Sequence, residues 1–245
     1  MIHLYQWPPG RKIPNLGPFC MKLEAYLRIS GLEHRVISTT SLSKSPKKTM
    51  PFAEIDGKLI SDSQIIIEIL EKRSPRPMDF HLNAEQRAHA VAYRGMLETH
   101  LVPILVHFRW VEEAGWAQFG PRVFGKVPAL IRPLISGHMR RQVIKRLNSL
   151  GVSRHSVSEL CEFAQADVSA VANLLGTKQF VFGSEVSTLD LVIYSVIGNI
   201  LEGDVDMPLI DIVKGHQNLV DHMHRVLALF NESHAKGHVK SHSKS

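Results

Sequence analysis

The chain has 245 residues, 44% of them hydrophobic and 21% charged, which is enough apolar material for a packed core and excludes a wholly disordered chain. Two cysteines, Cys20 and Cys161, are too few for a disulfide-framed secreted module, so a reducing, cytoplasmic setting is expected. The formal charge of +6 is concentrated: Ala114 to Ser158 holds eight basic residues and no acidic one, leaving 21 basic against 23 acidic residues elsewhere.

The N-terminus MIHLYQWPPG has neither the basic start nor the long apolar stretch of a signal peptide. The longest apolar run, Leu191 to Leu201, is interrupted by Ser195, Gly198 and Asn199 and is too short for a bilayer core of about 30 Å. Neither export nor a membrane span is expected.

Ile2 to Gln6 reads as a strand stopped by Pro8, Pro9 and Gly10. Pro18 suits a first helical turn, and Phe19, Leu23, Tyr26 and Leu27 then mark one face of a helix ending at Ser30-Gly31. His34 to Ser38 is a second strand, which makes a βαβ opening. Thr39 to Lys48 is irregular or a weak short helix. Phe52 to Asp56 and Lys58 to Ile60 flank the tight-turn signal Asp56-Gly57. Ser61-Asp62-Ser63 offers caps for a helix over Ile65 to Leu70, with Gln64 completing a capping box from Ser61.

Ser74-Pro75-Arg76-Pro77 reads as a linker, beyond which the pattern is helical: Ala84 to about Val111 behind Asn83, then Ile131 to Leu150, Val157 to Leu175, Thr188 to Leu201 and Gln217 to Phe230. The expected domains are 1–74 (mixed α/β), 78–232 (all-helical) and a disordered tail over 233–245.

Gly17-Pro18-Phe19-Cys20 at a helix head, Met50-Pro51 before a hairpin and Asp62-Ser63 at the next helix head occur in an order and spacing that resemble the thioredoxin-like half of glutathione transferases. Val186-Ser187-Thr188-Leu189-Asp190-Leu191 resembles the buried capping box of that superfamily's helical domain. Within the superfamily the likeness points to the branch of metaxins, failed-axon-connections proteins and bacterial transferase-like relatives. Pro14 to Glu24, Ser45 to Phe52 and Arg109-Trp110 carry it. The implied fold class is an α/β thioredoxin-like N-terminal domain followed by an all-α C-terminal domain, glutathione transferase-like.

The resemblance implies a cis Pro51 and backbone pairing of Met50 with the cysteinyl part of glutathione. It also implies that Asp62 and Ser63 hold the γ-glutamyl end, where a helix N-terminus favours an anion. Lys47 or Lys48 would meet the glycyl carboxylate. Gly17 departs from the family, whose members place Ser or Cys there to serve the thiolate. Losing a hydrogen bond to a charged group costs roughly 1.5–3 kcal/mol. Helix N–H groups at Gly17, the Asn15 amide or the Tyr5 hydroxyl could replace part of it. Cys20 is a packed small hydrophobe or, alternatively, a reactive thiol. Arg109 and Trp110 fall where the fold lines its second-substrate pocket.

Two functions stay open. One is an enzyme joining glutathione, as co-substrate, to a small hydrophobic electrophile, in a homodimer. The other is a non-catalytic, metaxin-like binding module docking on anionic membranes through a basic helix over 138–150. There Met139, Val143, Leu147 and Leu150 form an apolar stripe, with Arg140, Arg141, Lys145 and Arg146 largely off it. No nucleic-acid partner is expected, for want of an aromatic platform. His234, His238 and His242 recur every four residues, but Gly237 and the serines favour a disordered tail over a metal site.

Overall fold

The computed structural model describes residues 1–125 and 127–241, with side chains described to Ser233. A four-stranded mixed sheet has the order β2-β1-β3-β4, from β1 (Ile2–Gln6), β2 (His34–Ser38), β3 (Phe52–Ile55) and β4 (Lys58–Ser61). Leu4 pairs in parallel with Val36 and antiparallel with Ala53, so β1 is central and buries its even-numbered side chains. The β3–β4 turn is Asp56-Gly57, both at positive φ (52° and 75°), the backbone a two-residue hairpin demands.

Helix α1 (Pro18–Ile29) starts at Pro18, whose missing N–H costs nothing in the first turn, and buries every residue from Cys20 to Leu27. Helix α2 (Ser63–Arg73) is capped differently from expectation. Asp62 is the N-cap, accepting from Gln64 N and Ile65 N at 2.9 and 3.2 Å, while Ser61 ends β4 and makes no capping box. β4 runs one residue further than the pattern suggests, because Ser61 still pairs with Phe52.

The second, helical part opens with α3 (Ala84–Met96), a π turn at Leu97–Leu101 and α4 (Val102–Trp110) in place of one regular helix. Pro103 has no N–H for an intrahelical bond, and the wide turn, closed by Val102 N to Leu97 O, absorbs the interruption. Helix α5 (Glu113–Phe124) escaped the periodic pattern because it has no capping side chain and contains Pro121. Packing forms it instead: Gly115 lies so close to α4 that a Cβ there would strike the Phe108 carbonyl. Helix α6 (Arg132–Ser149), a 3-10 turn (Val152–Arg154), α7 (Val157–Leu175), α8 (Thr188–Leu201), α9 (Leu209–Lys214) and α10 (Gln217–Ser241) follow. Six-residue α9 was too short to show a period.

Helix α8 buries all twelve residues from Leu189 to Ile200 and packs on both α1 and α10. One hydrophobic cluster therefore runs from Leu4, Met21 and Leu27 through Ile193 and Ile197 to Met223. Linker Asp79 accepts from Thr188 N (2.8 Å) and Thr188 Oγ1 (2.6 Å), fastening the connection to the head of α8. No described helix is long and apolar enough to cross a membrane. The histidine-spaced tail beyond Ser233 lies outside the residues whose side chains are described.

Candidate functional site

The predicted site residues gather where β3, the head of α1 and the head of α2 meet. The Met50-Pro51 bond is cis. Phe52 pairs with Ser61, so Met50 and Ser63 each lie two residues outward from that rung. The antiparallel ladder with β1 stops at Tyr5↔Phe52, and the Met50 amide and carbonyl have no hydrogen-bond partner among the described residues. The N–H and hydroxyl of Ser63 are likewise unengaged, although its side chain is buried. Asp62 stands at φ +89°, a backbone that persists in a non-glycine residue only when the surroundings over-determine it. Its two cap bonds and the β4 ladder supply that constraint.

The loop carrying Met50 is pinned by a pair that the sequence reading missed. Ser45 Oγ and Ser61 Oγ lie 3.0 Å apart, Ser45 Oγ donates to Thr49 O at 2.8 Å, and Lys47 N reaches Ser61 Oγ at 3.3 Å. Nothing local marks two serines sixteen positions apart as partners. Lys48 is exposed at φ +54°, with Nζ on Ser43 O at 2.9 Å.

The head of α1 corrects several expectations. Asn15 is fully buried: Oδ1 accepts from Gly17 N at 2.9 Å and Nδ2 donates to Trp7 O at 2.7 Å, so its amide braces the loop and does not face a ligand. A Cβ on Gly17 would stand 3.2 Å from the Trp7 indole and 3.3 Å from Asn15 Oδ1, so the site leaves little room for the Ser or Cys of relatives. Tyr5 faces the opposite side of the sheet from α1, stacked on Phe52 at 4.5 Å with its hydroxyl 3.4 Å from Glu54. What remains at this helix head is the first-turn N–H groups of Phe19 and Cys20, with no acidic residue in the turn to oppose an anion.

Cys20 is the packed hydrophobe, not the reactive thiol. Burial, opposed by a hydrogen bond from the Trp7 backbone, pushes its pKa up to about 12. Cys161 is also raised by burial but stays partly accessible. A thiol reagent at about pH 8 is expected to label Cys161 alone in the native protein and both cysteines after denaturation, read by peptide mass mapping. An early adduct on Cys20 would reverse this assignment.

Arg109 is closed off from any second-substrate pocket. Arg109 is buried, and burial, aided by Arg122, lowers its pKa to about 9, still charged at neutrality. Its Nη1 donates to Leu16 O (2.9 Å) and Asn199 Oδ1 (3.0 Å), and its Nη2 to Asn199 O (2.6 Å). Asn199 Nδ2 in turn reaches Asn15 O at 3.2 Å. The helical part thus holds the loop ahead of α1 from behind. Trp110 packs in an aromatic cluster with Trp116, Phe119 and Phe124 at centroid distances of 5.3, 5.5 and 6.3 Å.

Lys22 is a second brace that the sequence reading missed. Only 1% of its side chain is exposed, and its Nζ pairs with Glu98 Oε1 at 2.6 Å and Gln64 Oε1 at 3.3 Å. Glu98 comes from the π turn, so that irregularity delivers the counter-charge for a lysine of the first domain.

The comparisons with known proteins agree with this architecture. Residues 18–115 match a family model described as the glutathione S-transferase N-terminal domain, and residues 164–226 match one for the C-terminal domain. Failed axon connections of Drosophila melanogaster is 31% identical over 238 residues; the match covers 92% of this chain and 57% of that protein. The isoprene-epoxide–glutathione S-transferase of Rhodococcus sp. (strain AD45) is 28% identical over 92% of this chain and 98% of that one. Mouse Metaxin-1 is 25% identical over 94% and 75%. A glutathione S-transferase of Methylobacterium radiotolerans, solved with glutathione sulfonate, superposes with a TM-score of 0.60 at 18% identity over 95% of this chain and 93% of that one, a likeness of fold.

Proposed function

Because this chain belongs to the glutathione S-transferase-like superfamily, we propose that it binds glutathione and joins it to a small hydrophobic electrophile. The observation that carries the proposal is the pair of unengaged backbone and hydroxyl groups at Met50 and Ser63, both two positions beyond the same end of the β3–β4 ladder. Met50 would continue the ladder onto the cysteinyl residue. Ser63, at the positive end of α2, would take the γ-glutamyl carboxylate, with Asp62 beside it for the amine. Exposed Lys48 suits the glycyl carboxylate. The thiol would lie at the head of α1, where helix N–H groups favour the thiolate.

An epoxide is the electrophile to test first, given what the Rhodococcus relative's name says it uses. In that reaction the thiolate forms a C–S bond as the C–O bond breaks, and the alkoxide takes up the proton the thiol released. A homodimer is part of the same proposal: α3 buries none of its residues and carries Val91 at 59% exposure. Two free cysteines suit a cytoplasmic setting.

The expected result on immobilised glutathione is retention that weakens about ten- to a hundredfold in Ser63→Ala, from the loss of a hydrogen bond to a carboxylate. Failure of the folded wild-type protein to bind would sink the proposal. The lack of a side-chain donor at Gly17 favours a second reading, a binding module without catalysis. Retention on glutathione with no turnover of epoxides or aryl halides would select it.

A further inference from the structure

Of the eight basic residues between Ala114 and Ser158, Lys126 lies outside the described residues, and the other seven divide by what they touch. Arg140, expected on the solvated face of α6, turns inward: Nε donates to Trp110 O and Nη2 to Val111 O, both at 2.8 Å, and the guanidinium stacks on Trp116 at 5.0 Å. Arg132 closes the turn before α6 by donating to Gly125 O and Val127 O. Arg122 lies 4.0 Å from Asp204. By contrast, Arg141, Lys145, Arg146 and Arg154 make no ion pair or side-chain hydrogen bond with any described residue.

Three of these cations line one depression of about 380 Å³: Arg141, Lys145 and Arg154, with Ile144, Asn148 and Ser149. The same helix face continues towards its N-terminus. Leu134, His138, Arg141, Lys145 and Asn148 follow at steps of four and three residues, so they share one side of α6, and all five are exposed. That face ends in an apolar tip where Leu130 is 94% exposed and Leu134 72%, flanked by Ile131 and Ile135. Leu150, expected on the inward stripe, is also exposed, at 57%. Large aliphatic side chains this open, beside cations without partners, need an occupant that is apolar and anionic at once.

We propose that this face docks on an anionic phospholipid bilayer, with Leu130 and Leu134 entering the acyl boundary and Arg141, Lys145 and Arg154 holding lipid phosphates. Charge complementarity selects the bilayer over a second copy of the chain, because a self-contact here would set Arg141, Lys145 and Arg154 against the same cations of the other copy, and no acidic residue lines the depression to pair with them.

The test is flotation of the full chain with vesicles of phosphatidylcholine alone or with about 30% phosphatidylserine. The expected result is recovery with the anionic vesicles only, lost in about 1 M salt. Each basic residue near such a surface contributes about 1 kcal/mol, so Arg141→Gln/Lys145→Gln should lower partitioning about thirtyfold. Leu130→Ser/Leu134→Ser should lower it more than about tenfold. Both variants alter exposed side chains and should keep wild-type melting and glutathione retention. Equal recovery on neutral vesicles, or unchanged recovery of both variants, would overturn the proposal. So would a change of oligomeric state in the leucine variant without lipid, which would make the tip a contact between copies. If millimolar inorganic phosphate at constant ionic strength abolishes flotation, the pocket takes free anions and the bilayer is the wrong occupant.

Discussion

Asp190→Ala is expected to be the most damaging single substitution away from the candidate site, costing about 3–5 kcal/mol. The carboxylate is fully buried and accepts from four donors: Ser187 N (2.8 Å), Ser187 Oγ (2.6 Å), Val181 N (2.9 Å) and His222 Nε2 (2.8 Å). Alanine leaves all four donors without their acceptor in a fully buried site. In a chain of this size each kcal/mol moves the melting temperature about 2–4 °C, so a fall of roughly 10 °C or more should appear in thermal denaturation. Asp190→Asn keeps the shape but turns one acceptor into a donor facing donors, and should lie in between. A change below about 3 °C for the alanine variant would mean that the capping box is dispensable for α8.

Glu98→Ala should cost nearly as much, for a different reason and with a distinctive pH dependence. Removing Glu98 leaves the Lys22 ammonium, 1% exposed, with no carboxylate at hydrogen-bonding distance. Breaking a buried pair in this way costs about 3–5 kcal/mol, whereas Lys22→Met, which removes the buried charge itself, should cost much less. Burial already lowers the Lys22 pKa below its ordinary value, with Glu98 opposing the shift; without Glu98 it falls further. A lysine whose folded pKa is depressed destabilises the fold while charged, and the penalty fades as pH rises through the folded pKa towards the unfolded one. The melting deficit of Glu98→Ala should therefore be largest near neutrality and shrink on the alkaline side. A deficit that stays constant or widens with pH would show that the loss came from packing and not from a stranded charge.

Lys22 and Asp190 also mark the limits of reading this chain. The Ser187–Asp190 box was legible because its partners are three positions apart and a helix start imposes that spacing on any fold. The Asp56-Gly57 hairpin, Pro18 at the head of α1 and the alternation in β1 were legible for the same local reason. With Met50-Pro51 and Asp62-Ser63 in order, they were enough for the architecture and for half of the candidate site. Local rules failed where packing competes with them. Asp62 displaced Ser61 as N-cap because the β4 ladder keeps Ser61, and α5 formed around Gly115 and Pro121 against its own propensities.

The other half of the site depends on partners far apart in the chain. Lys22 finds Glu98 76 positions away, and Arg109 finds Leu16 and Asn199 at 93 and 90 positions. A basic residue on an amphipathic helix looks the same in sequence whether it meets solvent, as Arg141 does, or turns inward onto a helix end, as Arg140 does one position earlier. The periodicity of α6 set which residues share a face. The crossing of α4 and α6 set which of those faces is wet. In the same way, packing of α8 against the loop ahead of α1 turned Arg109 and Asn15 from apparent ligand-facing groups into buried braces. Propensity and capping are properties of neighbouring residues and can be read in order. Burial belongs to surfaces brought together by the fold, and it assigned each of these polar side chains to a buried brace or an open face.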